Sequence, residues 1–219
     1  MAAAAVRYLR APHPPPARVE PLPRPELRCV GEDERAPVDQ AEFRRVLGNF
    51  ATGVTVVTAP APEQSPTPAP TPPPATTPAP TPTPAPAADG PAGFACQSFS
   101  SLSLDPPLVV FLVGRTSTTW PRIARAGVFC VNVLSAGQAE LCRGFAVRGG
   151  DKFAGVDHTP APVSGSPRLT GALAWIDCTI HAVHPGGDHL IVVGRVEALG
   201  TGADVDDASP LLFHRGRFT

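Results

Sequence analysis

Ser98, Ser100, Ser101 and Ser103 crowd the stretch between two apolar runs, and a second polar cluster, Arg115, Thr116, Ser117, Thr118 and Thr119, follows the later run. Closely spaced hydroxyls beside free backbone N–H groups are what a loop needs to hold a phosphate without a metal. Taken singly, each cluster also reads as a turn whose Ser and Thr side chains bond their own backbone. Their placement at both ends of one apolar run, PLVVFLV, favours the phosphate. Other chemistries lack their residues. No G-x-G-x-x-G follows a predicted strand, and no G-x-x-x-x-G-K-[ST], HExxH, nucleophile elbow or paired-carboxylate motif occurs.

The elements that must position these clusters follow from the periodicity. DQAEFRRVLGNF predicts a helix, with Asp39 and Glu42 as a capping box, Phe43, Val46 and Leu47 on one face and Gly48 near its end. GVTVVTA, FACQSF, PLVVFLV and VFCVNVL predict strands. STTWPRIARAG predicts a helix capped by Ser117 or Thr118, with Pro121 in its first turn and Gly127 at its stop. SAGQAELCRGFAV predicts another, opened by a Ser135/Gln138 capping box, and the Gly149-Gly150-Asp151 that follows reads as its C-cap and turn. ALAWIDCTIHAVH alternates, with Ile176, Cys178 and Ile180 on one face, and pairs across the PGGD turn with HLIVVGRVEAL; LLFHRGRF closes the chain. Many short strands, few helices and consecutive hairpins imply a mostly β fold, an antiparallel barrel with peripheral helices.

Two segments have no core face. Residues 1–37 are rich in Pro, Ala and Arg, without hydrophobic period, and read as a disordered tail before a domain spanning 38–219. Residues 61–90 are Pro/Thr/Ala repeats that cannot build a ladder, because proline lacks the N–H. This insert interrupts the domain. Lengthening a hairpin loop from about 5 to about 35 residues costs only about 1.7 kcal/mol, so the fold tolerates it.

Composition narrows the partners. The 219 residues carry a formal net charge of −1, which offers no electrostatic case for nucleic acid or an anionic membrane. No apolar run is long enough to span a bilayer, and the run before Arg7 and Arg10 is too short for a secretory signal. The five cysteines (Cys29, Cys96, Cys130, Cys142, Cys178) form no CxxC pair and no zinc spacing. Reduced, mostly buried thiols in a cytoplasmic protein are expected, with Cys96, inside the candidate site, set apart.

The order and spacing of FRRVLGNFATGVTVVTA, SFSSLSLDPPLVVF, RTSTTWP, FCVNVL, FAVRGGDKFAGV, GALAWIDC, GGDHLIVVGRVEALG and PLLFHRGRF resemble the flavin reductase-like family, small FMN-binding split β-barrels. The resemblance covers nearly everything outside the tail and the insert. It implies NAD(P)H-dependent reduction of flavin, FMN or FAD, with NADH or NADPH as hydride donor. It also implies a homodimer with flavin near the subunit interface and delivery of reduced flavin to a partner monooxygenase. By the resemblance, Ala95, Cys96, Gln97 and Ser98 line the flavin ring and ribityl chain. Ser101, Leu102 and Ser103 serve the phosphate end, with Arg115, Thr116 and Ser117 completing it, and Gly150 and Asp151 approach the cofactor. His189, in the Asp-His pair, stands by the nicotinamide as the catalytic candidate. The family more often shows Thr-Ala-Asn where this chain has Ala95-Cys96-Gln97, which alters the side-chain bonds to the ring edge. Two rival readings stand beside this one: a split-barrel flavoprotein oxidase with tightly held FMN, and a non-catalytic interaction protein that uses the Pro-rich insert. Trp120 and Trp175 read as packing anchors.

Overall fold

The computed structural model describes residues 38–62, 90–202 and 208–219, so the tail and most of the insert lie outside the described residues. The fold is that of the unit Gln40–Thr219. After α1 (Gln40–Leu47) come β1 (Thr52–Gly53), β2 (Thr55–Ala59), β3 (Ala92–Cys96), β4 (Ser100–Leu104) and β5 (Pro107–Gly114). Next are α2 (Trp120–Ala126), β6 (Val128–Val133), a 3-10 turn (Ala136–Gln138), α3 (Ala139–Ala146), β7 (His158–Pro160) and β8 (Pro167–Leu169). The long hairpin β9 (Ala174–Gly186) and β10 (His189–Thr201) precedes β11 (Leu212–His214) and β12 (Arg217–Phe218).

Seven strands form one sheet in the order β3-β2-β6-β9-β10-β5-β4, every pairing antiparallel. The strands flanking the insert pair as a hairpin, Ala59 opposite Ala92, so the insert joins two bonded neighbours. β2 is buried at all five positions because both its faces are covered. Val57 and Ala59 face a core with Phe111, Phe129, Trp120 and Ile123, while Val56 faces a second core with Cys142, Phe145 and Leu211. The sheet curls. Register shifts in β10 at Val193/Gly194 and Val196/Ala198 are bulges, which bend a strand and increase its twist. At the first, a Cβ on Gly194 would lie 2.3 Å from Phe129 Cζ, so only glycine lets that ring fill the concave side.

The curl brings β3, at one end of the sheet, against β5, next to the other end, without a continuous ladder. Phe94 of β3 stacks obliquely on Phe111 of β5, centroids 5.9 Å apart. Just beyond β3, the Ser98 hydroxyl accepts from Leu112 N–H at 2.9 Å and donates to Leu112 C=O at 3.1 Å. One side chain thus replaces a pair of inter-strand bonds between the end of β3 and β5, and beside it the barrel stays open as a split.

The helices fall where expected, with local differences. α2 starts at Trp120, with Thr119 at its N-cap and no side-chain cap bond. Ser117, an expected cap, instead accepts the Trp120 N–H at 3.1 Å from just before that position. The Ser135/Gln138 capping box is present, but its first turn is 3-10. α3 ends in extended Val147, so Gly149-Gly150 is a separate turn rather than the helix cap. Trp120 is buried in the core, and Trp175 carries the Arg168 guanidinium 4.7 Å from its ring centroid.

Candidate active site

The split opens as a run of adjoining hollows. The first, about 340 Å³, is lined by Phe94–Ser98, Leu112–Gly114, Ser117 and His189. The next shares Phe94, Ala95, Gly114 and Ser117 with it and adds Thr116, Thr118, Thr119, Phe145–Arg148 and Lys152. A third shares Thr118, Thr119 and Lys152, and reaches Arg122, Gly149–Phe153 and His158. The first hollow mixes apolar and polar side chains; along the groove hydroxyls follow, and then the cations Arg122 and Lys152.

One wall is the free edge of β3. The Gly93 carbonyl turns outward, where it accepts from Lys152 Nζ at 3.2 Å. Antiparallel alternation then turns the N–H and C=O of Ala95 to the same side, into the groove. Cys96 is buried beneath, its Sγ 3.3 Å from Ser98 Oγ, and burial pushes its thiol above the usual range. Such a thiol is held in its protonated, unreactive form.

The opposite wall is the turn between β9 and β10. His189 pairs with Gly186, so Gly187 and Asp188 form a two-residue loop, with Gly187 at φ +69°. Only glycine takes that conformation without strain. Asp188 Oδ1 accepts from His189 Nδ1 at 2.7 Å, and the imidazole beside it holds the Asp188 carboxyl below its ordinary value. That bond fixes the proton on Nδ1. Nε2 is turned towards Gly114, 3.8 Å from where a Cβ would stand, at the mouth of the first hollow.

A model of the flavin reductase like domain matches residues 47–219. The chain belongs to the flavin reductase-like family. Its reaction is the nicotinamide-dependent reduction of flavin. The reductase subunit of a flavin-dependent monooxygenase from Rhodococcus jostii is 45% identical over 183 residues, 83% of this chain and 78% of that one. A flavin reductase from Pseudomonas putida is 40% identical, covering 87% and 95% of the two chains. Among solved structures, nitrilotriacetate monooxygenase component B from Mycobacterium thermoresistibile superposes with a TM-score of 0.67 at 43% identity, covering 82% and 85%. An NADH:FAD oxidoreductase from Streptomyces globisporus, in complex with NAD and FAD fragments, gives 0.66 at 35% identity, covering 83% and 92%.

The groove fits the family's cofactor on its own chemistry. A flat ring bearing alternate donors and acceptors matches an outward strand edge at Ala95, and a phosphate matches hydroxyls backed by a cation. Of the residues expected from the sequence, Ala95, Cys96, Gln97, Ser98, Thr116, Ser117 and His189 line the first two hollows, and Gly150 and Asp151 the third. Ser101, Leu102 and Ser103 stand apart on β4, the opposite edge strand, at a bulge in its pairing with β5. The Arg115 side chain turns to the β9–β10 loop, its Nε donating to Gly187 C=O at 2.9 Å. Among the lining residues that escaped sequence reasoning are Phe94, Arg122, Lys152 and His158. Lys152 sits in the DKF of a quoted block, which is the signal that pointed to it. Its ammonium also donates to Phe145 C=O at 3.0 Å, and burial, then Arg122, lowers its pKa. His158 meets Phe153 edge-on with centroids 5.5 Å apart, a contact no local pattern announces.

Proposed function

We propose that this chain takes up FMN or FAD in the split, reduces it with NADH and releases it to a partner monooxygenase. The observation that carries this reading is the first hollow, which puts the Ala95–Ser98 edge and the His189 imidazole on facing walls. The flavin, when bound, supplies the hydride acceptor. Everything else is binding and orientation by the chain. The Ala95 backbone and the Gln97 side chain meet the ring edge, and Phe94 and Leu112 exclude water from it. Thr116 and Ser117, with Lys152, hold the phosphate, while Gly150 and Asp151 border the far end. His189, oriented through Nδ1 by Asp188, offers Nε2 to the nicotinamide carboxamide. Relatives whose names specify NADH, one an FAD reductase and one an FMN reductase, support the choice of donor.

The test is the fall in NADH absorbance with purified protein and added FMN, FAD or neither. Turnover that requires free flavin is expected. A copurifying flavin that does not exchange, with no turnover of added flavin, would overturn the reading in favour of a bound-flavin oxidase.

The protein acts as a homodimer in the cytoplasm. α1 supports the dimer: none of its residues is buried, and Phe43, Val46 and Leu47, with Phe50 beyond, leave an apolar stripe uncovered in one chain. The four cysteines among the described residues are free, buried thiols, which suit a reducing compartment. A monomer by light scattering at micromolar concentration, with full activity, would refute the dimer. Residues 61–88 of the insert are dispensable to the domain, since β2 and β3 already pair across them. Replacing them with an Asp-Gly turn is expected to leave melting temperature and NADH oxidation within error of the parent.

A further inference from the structure

We propose that Arg115 is a positioning residue for His189, acting through the β9–β10 loop, and that its loss impairs use of NADH rather than binding of flavin. This rests on the reading of His189 as the nicotinamide-side contact. The loop consists of Gly187 and Asp188, and Arg115 engages both carbonyls. Its Nε donates to Gly187 C=O at 2.9 Å and its backbone N–H to Asp188 C=O at 3.0 Å. Asp188 in turn holds His189 Nδ1. Neither partner in that last bond is anchored by packing, for the side chains of Asp188 and His189 are 93% and 48% exposed. A two-residue loop at the end of a hairpin frays unless something ties it down. The tie here is a planar guanidinium, which loses little freedom per bond formed. Arg115 also directly precedes Thr116 and Ser117 in the hydroxyl-rich wall, and Ser117 N–H bonds back to Gly114 C=O at 3.0 Å. One short segment thus connects the flavin-phosphate wall to the imidazole.

The experiment compares Arg115→Ala, Arg115→Lys, His189→Ala and the Arg115→Ala/His189→Ala double variant in the full chain. It measures flavin Kd by fluorescence quenching and NADH KM and kcat at saturating flavin. Arg115→Ala is expected to raise NADH KM about three- to tenfold, the worth of one lost hydrogen bond, with flavin Kd moved less than about twofold. Arg115→Lys is expected to behave like Arg115→Ala, because it keeps the charge but has no donor at the Nε position. In the His189→Ala background, Arg115→Ala is expected to add almost nothing, since the two act as one unit. Flavin Kd rising in Arg115→Ala and restored in Arg115→Lys, with NADH KM unchanged, would overturn the proposal and place the guanidinium on the phosphate. Effects that multiply in the double variant would also overturn it, while leaving the reading of His189 intact. An NADH KM unmoved by His189→Ala itself would overturn that reading and the proposal together.

Discussion

The two walls of the split are built in opposite ways. The β3 wall is the edge of a buried strand. Phe94 rests on the core ring Phe111, and Cys96 is almost wholly buried. Beside it, Gly93 lies so close to Phe145 that a Cβ would come within 2.7 Å of Cε1. The β9–β10 wall is a solvent-exposed turn held by hydrogen bonds, with the His189 imidazole on an exposed carboxylate. Packing gives the first wall a position that changes only if the core changes. The second wall owes its position to a few polar contacts, each worth about 0.5–1.5 kcal/mol, and is free to adjust. A reaction in which flavin and NADH must both enter and leave suits one rigid wall and one adjustable wall.

The largest effect should come from breaking the rigid wall. Gly93→Ala drives a methyl into Phe145 and Phe153, an overpacking that costs about 1–3 kcal/mol. A fall in melting temperature of about 2–12 °C is expected by calorimetry for a chain of this length, together with weaker flavin binding. An unchanged melting temperature would mean that β3 is not fixed by this contact.

Ser98→Ala tests the link between the β3 wall and β5. It removes both bonds to Leu112 while leaving that backbone open to water. A loss of about 0.5–1.5 kcal/mol in urea unfolding and a three- to tenfold rise in flavin Kd are expected. If flavin Kd moves and stability does not, the hydroxyl serves the ligand more than the barrel.

His189→Ala probes the adjustable wall. Flavin Kd should stay within about twofold, while kcat/KM for NADH falls about three- to tenfold, read by steady-state kinetics at saturating flavin. The reverse pattern would exchange the roles of the two walls.

The smallest effect is acid titration of Asp188. Its folded pKa is depressed by the hydrogen bond to His189 and by that imidazole's charge. The carboxylate's contribution to stability is therefore fully present above the ordinary Asp pKa and is lost as pH falls through the lower, folded value. Because the group is fully exposed, melting temperatures of the parent and Asp188→Asn should differ only slightly at neutral pH. They should converge below about pH 4. A gap that widens on acidification would contradict the sign.

Much of the framework was legible because it depends on neighbours in sequence. β-branched and apolar runs marked β2, β5 and β6, alternation marked β9, and the Ser135/Gln138 pair marked the start of the third helical segment. The cap of α2 was misplaced by a residue or two because Ser117, Thr118 and Thr119 are equally suited to the role, and only backbone geometry chose among them. Of the residues the sequence offered for the site, the fold brings some together and not others. Ala95–Ser98, Thr116, Ser117 and His189 gather in the groove, but Ser101–Ser103 look alike in sequence to Ser98 and sit on the other edge strand.

By itself the sequence determined which stretches form strands, that β9 and β10 pair across their turn, that a Pro-rich segment offers no core face, and which family the chain joins. These follow from side-chain period, turn chemistry and motif order, all short-range properties. Only the tertiary structure decided that the free edge of β3 meets β5, that Ser98 bonds Leu112 fourteen positions on, and that Arg115 reaches Gly187 seventy-two positions away. It also decided that Lys152 and His158 join the groove. Those outcomes depend on how far the sheet curls. Curl accumulates over every strand and bulge, so no local pattern records it.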